Sequence, residues 1–241
     1  MVRTSFWLSV ILGIGIFPLQ AQQTLINLPS VELTPAGRLF VLHETQLRFW
    51  RPDPYWVTSH FLVYGLSSKF ELGVTLYDWG FPVQTHSAIA MGYKHTQAIL
   101  LRGGEVWEPK YTVGQMLILS GTGKGAGLWS YLMGSFRLPE IQARITIGAT
   151  FTPNALFGGT EEEDFFGTHP IPLIASVELP IIDELDVVVE WFSGDDHEFA
   201  YLTPGFVYHK GSWVFVLSYK IANNEEERDA NSFVLEAGYY F

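Results

Sequence analysis

Hydrophobic positions in this chain recur at every second residue over most of its length. The clearest stretch is the last: Phe233, Leu235, Ala237, Tyr239 and Phe241 alternate with Val234, Glu236, Gly238 and Tyr240. Trp213, Phe215, Leu217 and Tyr219 alternate in the same way with Val214, Val216, Ser218 and Lys220. Phe70, Leu72, Val74 and Leu76 do so with Glu71, Gly73, Thr75 and Tyr77. Ile141–Phe151 and Leu185–Phe192 repeat the pattern. A period of two marks strands with unlike faces, because successive side chains point to opposite sides. No comparably long stretch carries the i, i+3, i+4, i+7 stripe of an amphipathic helix. The pattern predicts an all-β chain of about twelve antiparallel strands, with ten or fourteen as neighbouring solutions. Their spans are 38–50, 55–66, 69–78, 87–99, 110–120, 128–137, 141–151, 171–180, 185–193, 199–209, 213–221 and 231–241. The fourth to sixth alternate less cleanly than the rest. At about nine to thirteen residues, such strands exceed the five or six usual in soluble sheets. They match the roughly nine to eleven that cross a bilayer when tilted.

Alternation by itself leaves open which face points outward. A soluble barrel hides its apolar row inside, whereas a membrane barrel turns that row to lipid. Composition bears on the choice: 48% of the 241 residues are hydrophobic and only 16% charged, against roughly 25% charged in ordinary soluble domains. Trp50, Trp56, Trp79, Trp191, Trp213, Tyr239 and Phe241 fall near strand ends, where interfacial aromatic girdles sit. The other row holds Gly, Thr, Ser and isolated charges, a poor exterior for a soluble protein and a fair lumen. Connections also alternate between short and long. Ser67-Ser68, Leu138–Glu140, Ile181–Glu184 and Lys210–Ser212 are tight, as periplasmic turns are, with the 100–109 stretch a longer exception. The apolar rows are therefore expected to face lipid.

The N-terminus reads as an address. Arg3 precedes the apolar run Phe6–Phe17, and Pro18-Leu19-Gln20-Ala21 supplies a break and a small residue, the layout of a cleaved secretory signal over 1–21. Residues 22–37 are then expected as a periplasmic segment and 38–241 as one transmembrane barrel. The net charge is −11 with 14 basic residues, so no basic footprint exists for a nucleic-acid partner. The absence of cysteine excludes disulfides, thiolate metal sites and a cysteine nucleophile.

The export signal, the alternating strands and the aromatic ending together resemble a bacterial outer-membrane β-barrel. Such proteins end in an alternating apolar signal, closed by an aromatic, that the barrel-assembly machinery reads. Phe233, Leu235, Ala237, Tyr239 and Phe241 fit that scheme, although Gly238 stands two residues later than the commonest form places its glycine. The resemblance implies a single up-and-down barrel in the outer membrane, with outer-membrane lipid and the assembly machinery as its partners and no cofactor.

Two sets of charges carry the functional expectations. Glu161, Glu162, Glu163, Asp164, Asp195, Asp196, Glu198, Glu225, Glu226 and Glu227 fall in outer loops. They are read either as lipid-averse tips or as an acidic rim that gathers divalent cations. No Asp-x-Asp-x-Asp-Gly loop is present, so no defined metal site is expected. On the inward rows lie Glu44, Arg48, Glu71, Arg144, Glu178, Asp186, Glu190, Lys220 and Glu236, six acids against three bases. Charges there must be paired or wet, so they either plug a narrow barrel or line a pore.

Catalytic patterns do not form. Gly-x-Ser-x-Gly is absent, Ser59 and His60 face opposite sides of one strand, and His43-Glu44 lacks a second His at Leu47. Asp195-Asp196-His197 is a single hairpin tip. Gly121–Gly127 lacks the Lys-Ser/Thr of a phosphate loop. The expectation is a passive, mildly cation-preferring channel or small-solute uptake pore. A non-conducting surface barrel with an acidic rim and an outer-membrane lipid hydrolase are the alternatives.

Overall fold

The computed structural model describes residues 25–49, 55–77, 87–100, 107–120, 126–151, 171–194, 200–224 and 231–241. Twelve strands run β1 (Leu39–Arg48), β2 (Tyr55–Ser67), β3 (Phe70–Tyr77), β4 (Ala88–Ala98), β5 (Lys110–Ser120) and β6 (Ala126–Arg137). They continue as β7 (Arg144–Phe151), β8 (Leu173–Ile182), β9 (Leu185–Phe192), β10 (Tyr201–Lys210), β11 (Trp213–Ala222) and β12 (Ser232–Tyr240). Each pairs antiparallel with its sequence neighbours, and β1 closes on β12 from Phe40↔Tyr240 to Leu47↔Phe233. This is the closed up-and-down barrel that the alternation predicts, and closure leaves no unpaired sheet edge.

One boundary moves. Ile141–Ala143 lie in the β6–β7 turn rather than in a strand. Gln142 adopts a φ of 56° and its side-chain amide donates to the Pro139 carbonyl at 2.7 Å, so β7 begins at Arg144.

The outer wall is apolar, with Leu62, Met91, Leu132, Ile147, Phe206 and Leu217 all exposed. Aromatic rings gather at the short-turn end, where Trp213 packs on Tyr239 and Tyr239 on Phe241, each with centroids 4.8 Å apart. A polar seam interrupts the belt between β1 and β2. His43 Nδ1 lies 3.3 Å from His60 Nδ1, and Thr45 Oγ1 lies 2.9 Å from His43 Nε2. Mutual bonding among these side chains lowers the cost of turning them toward hydrocarbon.

The interior departs from a purely polar lumen. Phe40, Leu42, Val63, Val207, Val216 and Val234 of the inward rows form one buried cluster with Leu25 and Ile26. Leu28 and Val31 pack in a second cluster with Tyr131, Met133, Ile174, Phe192 and Tyr201. The segment from Leu25 to Thr34 therefore packs against the inward rows of the barrel. The physical reason is burial of Leu25, Ile26, Leu28 and Val31, each contributing roughly 1.5–3 kcal/mol when taken fully out of water. The same packing explains Gly238: a Cβ there would stand 2.5 Å from Phe40 Cζ, in a ring that stacks on Tyr240 with centroids 4.3 Å apart.

Candidate functional site

The candidate site is the lumen together with the segment that occupies it. Strand register places Glu44, Arg48, Glu71, Arg144, Glu178, Asp186, Glu190, Lys220 and Glu236 on the inward rows, in phase with the buried positions of their strands. Glu71 pairs in register with Lys94, Arg144 with Glu178, and Glu44 with Glu236. Glu71, Arg144, Glu190, Lys220 and Glu236 are all buried.

Glu190 holds one end of the segment. Its Oε1 accepts the backbone N–H of Ile26 at 2.7 Å and of Leu28 at 3.1 Å, and its Oε2 accepts that of Asn27 at 2.9 Å. A carboxylate in such an amide nest forms bonds worth roughly 1.5–3 kcal/mol each. Asn27 Oδ1 also accepts from Gln46 Nε2 at 3.2 Å, an amide that donates to Glu44 Oε1 at 3.0 Å.

Basic residues of β4 to β7 hold the middle. Lys110 Nζ lies 2.7 Å from Glu32 Oε1 and Arg144 Nη2 lies 2.9 Å from the same oxygen. Lys94 Nζ donates to the Glu32 carbonyl at 2.6 Å and lies 2.9 Å from Glu71 Oε1. Arg137 and Arg144 stand opposite each other in the β6–β7 register, an unfavourable like-charge pair. Glu108 bridges them at 3.2 Å and 3.5 Å.

The exit is anchored on β3 and β2. Thr34 N donates to Glu71 Oε2 at 2.6 Å. Ala36 bridges Gly65, and Gly37 N donates to the Gly65 carbonyl at 2.7 Å. Gly65 is required by this approach, since a Cβ there would stand 2.3 Å from the carbonyl oxygens of both Thr34 and Pro35.

Three inward bases escape the sequence reading: Lys94, Lys110 and Arg137. Lys94 lies in the least regular group of alternating segments, and the other two sit at strand ends. With them, the inward rows carry six acids and six bases among the described residues. Glu32 and Glu108 lie outside the strands, where period-two reasoning has no hold. Asp186 meets His209 at 3.4 Å and Lys220 lies over the Tyr201 ring at 4.1 Å. Glu161, Glu162, Glu163, Asp164, Asp195, Asp196, Glu198, Glu225, Glu226 and Glu227 lie outside the described residues. Phe233, Leu235, Ala237, Tyr239 and Phe241 occupy or adjoin the outward row of β12.

Comparison with solved structures places this architecture. The KdgM porin superposes with a TM-score of 0.56 at 10% identity, covering 85% of this chain and 99% of that one. The same porin in complex with disordered oligogalacturonate gives the same values. The chain shares the fold of that porin, a closed antiparallel β-barrel. An outer-membrane channel of Pseudomonas putida F1 aligns over 87% of this barrel and 97% of its own length, with 10% identity and a TM-score of 0.45. No family model and no curated protein matches the barrel.

The clamp is pH-sensitive at Glu32. Burial pushes its carboxyl up, but Arg144 and Lys110, with Lys94 beyond them, outweigh burial and hold it below its ordinary 4.5. A carboxyl depressed in the seated state stabilises that state above its ordinary value. The contribution disappears as pH falls through the depressed value. Acidification through that depressed range is therefore expected to loosen the segment, read as a loss of hydrogen-exchange protection of its backbone amides. Glu32→Gln should lower protection at neutral pH and remove this residue's share of the acid step.

Proposed function

We propose that the protein is a passive outer-membrane channel for small solutes, closed at rest by its own residues 25–36. The mode of attachment carries the reading. The segment lies inside the barrel, yet joins the wall's backbone ladder only near Ala36, Gly37 and Gly65 among the described residues. Apolar packing of Leu25, Ile26, Leu28 and Val31 and contacts with charged side chains of the wall do the rest, and the charged contacts exchange for water when a segment leaves. The fold shared with the KdgM porin supports a porin-like reading.

Selectivity is read as weak. The preference for cations anticipated from six acids and three bases loses its basis once Lys94, Lys110 and Arg137 are counted. We also take residues 1–21 as a signal removed on export and the β12 ending as the assembly signal. The acidic outer loops are taken as a rim facing surface lipid and divalent cations.

A non-conducting barrel is the second reading, favoured by how completely Glu71, Glu190, Lys94 and Lys220 are covered. Gly65→Val separates the two. Its side chain displaces Thr34 and Pro35, so single-channel conductance in planar bilayers should rise at least about tenfold over the native protein. A variant that is folded and inserted, by heat-modifiable gel migration, and still silent would leave the structural reading standing.

A further inference from the structure

We propose that Lys110 and Arg144 form a binding site for the carboxylate of a small solute, occupied in the closed barrel by the segment's own Glu32. This inference rests on the channel reading and names the class of solute that the channel takes.

The geometry supplies the first argument. One carboxylate oxygen, Glu32 Oε1, sits between an ammonium at 2.7 Å and a guanidinium at 2.9 Å. Both cations belong to the barrel wall, whereas the carboxylate belongs to the segment. The wall thus presents a preformed carboxylate receptor, and charge-assisted contacts of this kind are among the stronger polar interactions.

Charge balance supplies the second. Lys94, Lys110, Arg137 and Arg144 lie on four consecutive strands, β4 to β7. Two carboxylates of the wall and its connections meet them at ion-pair distance: Glu71 on Lys94, and Glu108 on Arg137 and Arg144. Glu32 is the third, on Lys110 and Arg144. Its withdrawal takes from Lys110, and from an Arg144 only 4% exposed, the nearest carboxylate that each has among the described residues. An incoming carboxylate restores the balance, so a solute bearing one can compete with Glu32, whereas a neutral solute of the same shape cannot.

Access supplies the third. Glu32, Arg137 and Arg144 border a pocket of about 70 Å³ whose lining includes Gln142 of the β6–β7 turn. Arg144, though not Lys110, thus borders a cavity at the short-turn end, beside the segment.

Calorimetric titration of the full-length protein in detergent tests the site, with succinate as probe and succinamide as its neutral control at matched ionic strength. Glu32→Gln removes the competing carboxylate charge, so succinate should bind at least tenfold more tightly to that variant than to the native protein, and succinamide should bind to neither. Adding Lys110→Met should abolish the gain. Lys110 is partly exposed and its loss leaves Arg144 paired, so this combination is chosen over removal of Arg144. Equal succinate affinity in native protein and Glu32→Gln overturns the proposal, as does equal binding of succinamide. Bilayer conductance on the same samples separates the two readings. A variant that conducts without binding succinate sinks the carboxylate site alone. One that binds succinate but never conducts sinks the channel and leaves the site.

Discussion

Glu190→Gln should open the lumen more than any other single substitution on the wall. The carboxylate accepts three consecutive backbone N–H groups, of Ile26, Asn27 and Leu28. An amide turns one oxygen into an NH2 donor that faces at least one of those N–H groups. Bonds to a charged acceptor are worth roughly 1.5–3 kcal/mol each, so losing one and weakening the others shifts the seated-to-released ratio by about 100-fold. The lost groups rehydrate once the segment leaves, so the barrel itself should keep its stability. The expected signature is a large rise in open probability in bilayer recordings with little change in the temperature of heat-modifiable unfolding. A fall in that temperature with no change in conductance would show that Glu190 supports the wall and does not hold a releasable segment.

Glu71→Ala should have the opposite profile, with its main effect on the barrel. Glu71 and Lys94 face each other across β3 and β4 at 2.9 Å, with side-chain exposures of 1% and 3%. Removing one member of a buried pair strands the other's charge, at a cost of about 3–5 kcal/mol. Replacing both with apolar residues of similar volume removes that penalty, so Glu71→Met with Lys94→Met should recover most of the stability. It should not recover the closed state, because Thr34 N loses its acceptor and the Glu32 carbonyl its donor. Denaturant unfolding and conductance, measured on the single and the double variant, resolve the two effects.

These two residues also show what sequence can and cannot reveal here. Glu71 and Glu190 fall on the inward rows by period two alone, because a strand's side chains have only two directions to take. The same rule yields strand number, pairing order and the lipid-facing aromatics Trp213, Tyr239 and Phe241. It fails for the segment at 25–36, which has no period and whose few apolar residues, Leu25, Ile26, Leu28 and Val31, read as ordinary linker. Their destination is fixed by tertiary complementarity: apolar inward residues such as Phe40 and Val216 that a water-filled pore would not need, and a Gly65 that leaves room for a passing backbone. Val214 and Val216 on the polar row of β11 were the available hint. Glu32 is still less accessible to sequence, since nothing local distinguishes it from any other acid near the N-terminus.

The most direct test of the account is to tether the segment reversibly. The chain has no cysteine, so Asn27→Cys with Gln46→Cys introduces the only thiols, at positions whose native side chains meet at 3.2 Å. A short disulfide-bearing bifunctional reagent would join segment to wall. On addition of Gly65→Val to favour release, single-channel current should be absent while the tether is intact and appear on reduction. Current of equal size before and after reduction would contradict the claim that residues 25–36 close this barrel.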